Sequence, residues 1–118
     1  MILIVDDQEN MCWILSKVLS DAGFAVATAE TAAEALAIAA NGKVSAAIID
    51  YRLPDKNGFD LLLALHQHQP QLPAVLITSY GSKRLREEAL RLGFRAYLDK
   101  PFDNRALIAA LRATLQET

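Results

Sequence analysis

Asp6 and Asp7, Asp50, Thr78 and Ser79, and the pair Asp99–Lys100 each stand immediately after, or at the end of, a short apolar run. Brought together, the carboxylates of Asp6, Asp7 and Asp50 repel one another, and ionising all of them is costly unless a cation intervenes. Hard oxygen donors of this kind select Mg2+, which keeps several waters and so needs few protein ligands. Such a site can draw in a phosphoryl group and neutralise the charge that develops on its oxygens. One carboxylate is then available as a nucleophile. Lys100 offers the phosphoryl oxygens a second positive charge, and the Thr78 hydroxyl offers a hydrogen bond.

These residues act together only if the fold collects them. Ile2-Leu3-Ile4-Val5, Phe24 to Ala27, Ala46-Ala47-Ile48-Ile49, Ala74-Val75-Leu76-Ile77 and Ala96-Tyr97-Leu98 read as five strands. Most are apolar throughout, as in a parallel sheet covered on both faces. Between them lie helical stretches. Met11, Ile14, Leu15, Val18 and Leu19 keep the spacing of one buried stripe. Thr31-Ala32-Ala33-Glu34 is a capping box that opens an Ala-rich helix. Further helices run from Gly58 to His68, Ser82 to Leu92 and Asp103 to Leu115, with Asp103 as an N-cap. Gly23, Gly42 and Gly93 fall where a left-handed C-cap favours glycine. The alternation is (βα)5, an α/β doubly wound parallel sheet, and such sheets bind ligands outside the carboxyl ends of their strands. The chemical residues sit at those ends.

Composition narrows the alternatives. A chain of 118 residues, 53% hydrophobic, builds one core, so residues 1–118 are read as one domain. No apolar run approaches the ~20 residues of a membrane span, and Met1 leads straight into the first strand without a signal-peptide pattern. A cytoplasmic location is expected. The single cysteine, Cys12, agrees with a reducing compartment and reads as a small packed residue. Residues 1–78 carry 4 basic and 9 acidic side chains, whereas residues 79–118 carry 8 and 5. The basic third holds Lys83/Glu87, Arg84/Glu88 and Glu87/Arg91 at i,i+4 spacing, so a solvated helix explains it better than direct nucleic-acid binding.

Four motifs in order carry a family resemblance: Ile4-Val5-Asp6-Asp7, Ile49-Asp50-Tyr51-Arg52-Leu53-Pro54 with Gly58 beyond it, Ile77-Thr78-Ser79, and Tyr97-Leu98-Asp99 leading into Lys100-Pro101-Phe102. Over essentially its whole length the chain resembles a response-regulator receiver domain of two-component signalling. The resemblance implies a flavodoxin-like three-layer sandwich with strand order 2-1-3-4-5. It implies that Asp50 accepts a phosphoryl group from a sensor histidine kinase or a histidine phosphotransfer protein. Asp7, Asp6, Asp50 and the backbone carbonyl of Arg52 would hold Mg2+. Thr78 and Tyr97 would form the switch pair, and Lys100 would meet the phosphoryl oxygens, aimed by a cis bond to Pro101. Arg52 and Tyr80 would flank the acyl phosphate and modulate its hydrolysis. The face made by the fourth helix, fifth strand and fifth helix would carry the readout, including a homodimer, to an output partner or domain that is expected to act in transcription.

Plainer readings stand beside these. Asp6–Asp7 alone reads as a loop pair, and Tyr97 as a filler of the core edge. His66 and His68, two apart on a helix, point in different directions and read as exposed; Trp13 reads as partly buried, and Leu61-Leu62-Leu63 as core. Three rival functions are a phosphate-independent interaction module, a Mg2+-dependent aspartyl phosphohydrolase and a flavin-binding domain. The hydrolase needs a second acid where Arg52 stands, and the flavin domain needs a Ser/Thr-rich loop after the first strand.

Overall fold

The computed structural model describes residues 1–116, so the last two residues of the predicted domain lie outside the described part. Strands and helices alternate: β1 (Ile2–Val5), α1 (Glu9–Asp21), β2 (Val26–Ala29), α2 (Ala32–Asn41), β3 (Ala46–Asp50), α3 (Gly58–His68), β4 (Ala74–Thr78), α4 (Lys83–Arg91), β5 (Ala96–Asp99) and α5 (Asn104–Gln116). The strands form one parallel sheet in the order β2-β1-β3-β4-β5, as expected.

Apolar runs without alternation are explained by the sheet's two covered faces. Successive side chains of a strand point to opposite sides. Ile2, Ile4, Ala46, Ile48, Val75 and Ile77 pack with Cys12, Leu15 and Leu19 of α1 and with Leu107 and Leu111 of α5. Leu3, Val5, Ala47, Ile49, Ala74 and Leu76 pack on the other side with α2, α3 and α4. Every residue of β1, β3 and β4 is buried. At about 1.5–3 kcal/mol for each fully buried large aliphatic side chain, these strands are the main anchor of the fold.

Side chains cap the helices largely where the sequence indicated. Thr31 Oγ1 accepts from the Glu34 amide at 3.0 Å, and Asp103 Oδ1 accepts from the Ala106 amide at 2.7 Å. The Glu34 carboxylate takes the Glu30 N–H rather than that of Thr31, so the box closes one residue early. Gly23 and Gly93 have φ of +97° and +112°, the left-handed region open to glycine. Gly42 does not; its φ of −137° is extended.

Several local expectations shift. β2 begins two residues later than the apolar run, because Phe24 packs beneath the sheet as a connector while exposed Thr28 belongs to the strand. In α1 the fully buried stripe is Cys12, Leu15 and Leu19, leaving Ile14 46% and Trp13 69% exposed. Leu63 lies half in solvent, unlike Leu61 and Leu62. His66 is half-buried, its Nε2 2.9 Å from the Leu72 carbonyl oxygen. The ion pair found on α4 is Arg91–Glu88, at i,i+3 rather than the predicted i,i+4 spacing. Among the described residues, no helix is long and apolar enough to cross a membrane.

Gly58 opens α3 directly against β3. A Cβ there would lie 2.7 Å from the Asp50 carbonyl oxygen, 3.1 Å from Ile49 Cγ2 and 3.2 Å from Leu76 Cδ1. The closest obstacle is backbone and cannot swing aside. Gly58→Ala should therefore lower the unfolding free energy by about 1–3 kcal/mol despite alanine's better helix propensity. Urea unfolding reads this directly, and an unchanged or raised midpoint would contradict the packing.

Candidate functional site

Strand register brings the acidic residues together. Val5 of β1 pairs with Ile49 of β3, so Asp6 and Asp50, each the next residue, emerge side by side at the carboxyl edge. Asp7 follows in the loop to α1. One oxygen from each of Asp6, Asp7 and Asp50 lies within 4.8 Å of the others. Asp6 is fully buried, Asp50 nearly so at 7% exposure, and Asp7 is exposed. Lys100 reaches in from the end of β5. Its Nζ donates to Asp6 Oδ2 at 2.7 Å and to Asp50 Oδ2 at 3.1 Å. The Lys100–Pro101 bond is cis, as expected.

The remaining oxygens of the buried pair are occupied by backbone. Asp6 Oδ1 accepts from the Gln8 amide at 2.9 Å, and Asp50 Oδ1 from the Arg52 amide at 3.3 Å. Burial, followed by the neighbouring Asp6 charge, pushes the Asp50 carboxyl above its ordinary value, against the pull of Lys100 and the Arg52 N–H. For Lys100, burial is the largest single influence and would lower it. Hydrogen bonds and charges from Asp6 and Asp50 together outweigh burial and hold the ammonium above its usual range. Asp6 and Asp50 share one ammonium and Asp7 adds a third carboxylate beside them, which leaves an excess of negative charge. Hard oxygen donors, surplus negative charge and an exposed outer member, Asp7, fit a hydrated divalent cation such as Mg2+. Asp6, Asp7 and Asp50 are the residues placed to hold it.

Two further groups border the cluster. Thr78 ends β4 and is fully buried; its Oγ1 accepts from the Tyr80 amide at 3.0 Å. Lys100 N donates to the Thr78 carbonyl oxygen at 2.8 Å, which ties the ends of β4 and β5 together. The Arg52 guanidinium carbon lies 4.0 Å from the centre of the Tyr80 ring, a cation–π contact between two exposed side chains. Half-buried Tyr97 donates its hydroxyl to Asp99 Oδ1 at 2.7 Å. Partial burial and then the Asp99 carboxylate push the phenol up to about 12. Gly81 has no side chain where Tyr97 and Asp99 meet; a Cβ there would collide with both.

Asp6, Asp7, Asp50 and Lys100 thus come together, with Thr78, Arg52 and Tyr80 at their border and Tyr97 one step further out. Sequence reasoning passed over Asp55. Its two carboxylate oxygens accept the Ala32 and Ala33 amides at 2.9 and 3.0 Å, at the first turn of α2. The signal available was an acid after a proline in a strand-end loop, which does not reveal a partner 22 or 23 residues away. Cys12 sits behind the site, its thiol 3.2 Å from the Asp6 carbonyl oxygen. Burial, then the Asp6 charge, pushes it up to about 11, so it is a packing residue and not a nucleophile.

Known proteins share this architecture. The family described as "Response regulator receiver domain" matches residues 2–112. The transcriptional regulatory protein CpxR of Klebsiella pneumoniae is 38% identical over 117 residues, covering 99% of this chain and 50% of that protein. The chain thus spans about half the length of such curated relatives. The receiver domain of NtrX from Brucella abortus superposes with a TM-score of 0.94 at 29% identity, covering 100% of both chains. A response regulator from Burkholderia pseudomallei, solved with a phosphorylated aspartic acid, calcium ion and citrate, has a TM-score of 0.87. It is 30% identical, with coverage of 97% of this chain and 67% of that one. Fold, strand-end chemistry and sequence similarity agree: the chain belongs to the receiver domains of two-component response regulators.

Proposed function

We propose that Asp50 is the phosphoacceptor of this receiver domain. The observation that carries the reading is a nearly buried carboxylate with an ammonium 3.1 Å away and two further carboxylates within 4.8 Å. An Asp50 oxygen attacks the phosphorus of a phosphohistidine in line; the P–N bond breaks, the imidazole leaves with its electron pair, and an acyl phosphate forms. The donor is a sensor histidine kinase or a histidine phosphotransfer protein acting in the cytoplasm. Asp6, Asp7, Asp50 and the Arg52 carbonyl would hold a Mg2+, which would neutralise charge on the phosphoryl oxygens. Lys100 turns from Asp50 to the phosphoryl group, and Thr78 donates its hydroxyl once it leaves the Tyr80 amide.

Those two movements form the switch. Phosphorylation adds charge and strong acceptors, which stabilise the arrangement with Thr78 and Lys100 turned inward. Tyr97 leaves Asp99 and fills the space released by Thr78. The α4–β5–α5 face, with Lys83, Arg84, Arg86 and Arg91, then changes shape and controls a homodimer or an output partner. Because similar proteins are transcriptional regulators and are about twice as long, transcription is the proposed output.

The test is intact mass after incubation with Mg2+ and acetyl phosphate, with sedimentation of the same samples. One phosphoryl adduct is expected in the wild type and none in Asp50→Asn, with any change of assembly confined to the phosphorylated sample. An adduct that survives in Asp50→Asn would move the acceptor elsewhere; no adduct in either protein would favour an inert interaction module. Continuous phosphate release with turnover would favour a phosphohydrolase, although Arg52 stands where that enzyme needs an acid.

A further inference from the structure

The loop between β3 and α3 carries Arg52, and the structure shows how its two ends are held. At the base, the Gly58 amide donates to the Tyr51 carbonyl oxygen at 2.7 Å, and Arg52 and Asn57 form an isolated antiparallel bridge. Near the site, the Arg52 amide is held by Asp50. The tip is held from another element. Asp55 binds the first two N–H groups of α2 with both carboxylate oxygens, while Thr31 takes the third, that of Glu34. Ala32 itself is completely buried, so the helix start that Asp55 grips is fixed in the core.

We propose that Asp55 is a positioning residue for the divalent-cation site: it pins the loop tip to α2 and so sets where the Arg52 backbone lies. This rests on the reading of Arg52 as a backbone ligand. Between Arg52 and Asp55 lie Leu53, packed against the core, and Pro54, whose ring fixes one backbone torsion. Little slack remains between the Asp50 anchor and the α2 anchor. The α2 N-terminus favours a carboxylate because its free N–H groups and dipole are positive. The two N–H bonds accordingly hold the Asp55 carboxyl below its usual range, so it stays charged at neutral pH. Removing the side chain leaves the ligand in place but lets it wander, and residues that orient a metal's ligands typically matter 10–100-fold in affinity.

A direct test is calorimetric Mg2+ titration of the wild type, Asp55→Ala, Thr31→Ala and Asp7→Asn, with thermal melts of each in EDTA. Thr31→Ala removes a cap from the same helix without freeing the loop, so it reports the cost of weakening α2 alone. The expected result is Mg2+ affinity about tenfold weaker in Asp55→Ala, near wild type in Thr31→Ala, and lower melting temperatures in both. Phosphorylation of Asp55→Ala should then recover towards the wild-type rate at saturating Mg2+. If Asp7→Asn weakens Mg2+ while Asp55→Ala matches the wild type, the role of Asp55 is overturned and the acidic site stands. Equal weakening in Asp55→Ala and Thr31→Ala would also overturn it, by assigning the effect to α2. If neither the wild type nor any variant binds Mg2+, the site reading fails and the Asp55 role with it.

Discussion

Lys100→Met should destabilise the protein by about 3 kcal/mol in EDTA, the cost expected when a buried ion pair loses one partner. The side chain of Lys100 is 8% exposed and serves Asp6 and Asp50, whose side chains are 0% and 9% exposed. Methionine preserves most of the volume and removes the charge, leaving two neighbouring carboxylates without their ammonium. Mg2+ should return part of the loss, because a ligand bound by the folded state alone stabilises it by mass action. The same substitution should slow phosphorylation by acetyl phosphate roughly 100-fold, the usual consequence of losing one donor aimed at developing charge. Urea unfolding with and without Mg2+, and a mass time course, read the two effects. Wild-type stability would mean that water already neutralises the pair, and a wild-type rate would remove Lys100 from the phosphoryl site.

In the Arg52→Ala, Tyr80→Ala double variant, the phosphorylated form should decay about tenfold faster, equivalent to about 1.4 kcal/mol of barrier. The guanidinium stacked 4.0 Å from the Tyr80 ring joins the loop after Asp50 to the loop after Thr78. The proposed role of Arg52 and Tyr80 is that this stack slows water on its way to an acyl phosphate on Asp50. Each member restrains the other through a contact worth about 0.5–1 kcal/mol at an exposed site. The single variants should therefore each give most of the effect, and the double variant less than their product. Loss of the adduct after removal of excess acetyl phosphate measures the rate. Equal lifetimes in wild type and double variant would show that the stack does not limit water.

Where the sequence was readable, the reason is burial. β1, β3 and β4 are covered on both faces, so their apolar runs carry few competing meanings, and the polar residues that end them mark the site. β2 was placed two residues early because an edge strand mixes buried Ala29 with exposed Thr28, while the connector residue Phe24 is as apolar as a strand. On α1 and α3 the apolar residues outnumber the positions the core accepts, and Trp13, Ile14 and Leu63 are those left outside. The site's principal charges were visible in strand-end positions. The Asp55 clasp and the Tyr97–Asp99 bond were not, since each depends on the exact approach of a loop or an edge.

The doubly covered sheet also divides the domain mechanically. Ile48 and Ile49, the residues just before Asp50, press into opposite helical layers, so the end of β3 is clamped from both sides like a beam in a wall. Close packing makes such a support stiff. Chemistry at Asp50 can bend β3 very little. The compliant part is the stretch beyond β4, residues 79–82, where exposed side chains and single hydrogen bonds prevail, whereas the loop after β3 is clasped to α2 by Asp55. A phosphoryl group would thus press against an immovable seat, and its force would be delivered to the loop after β4.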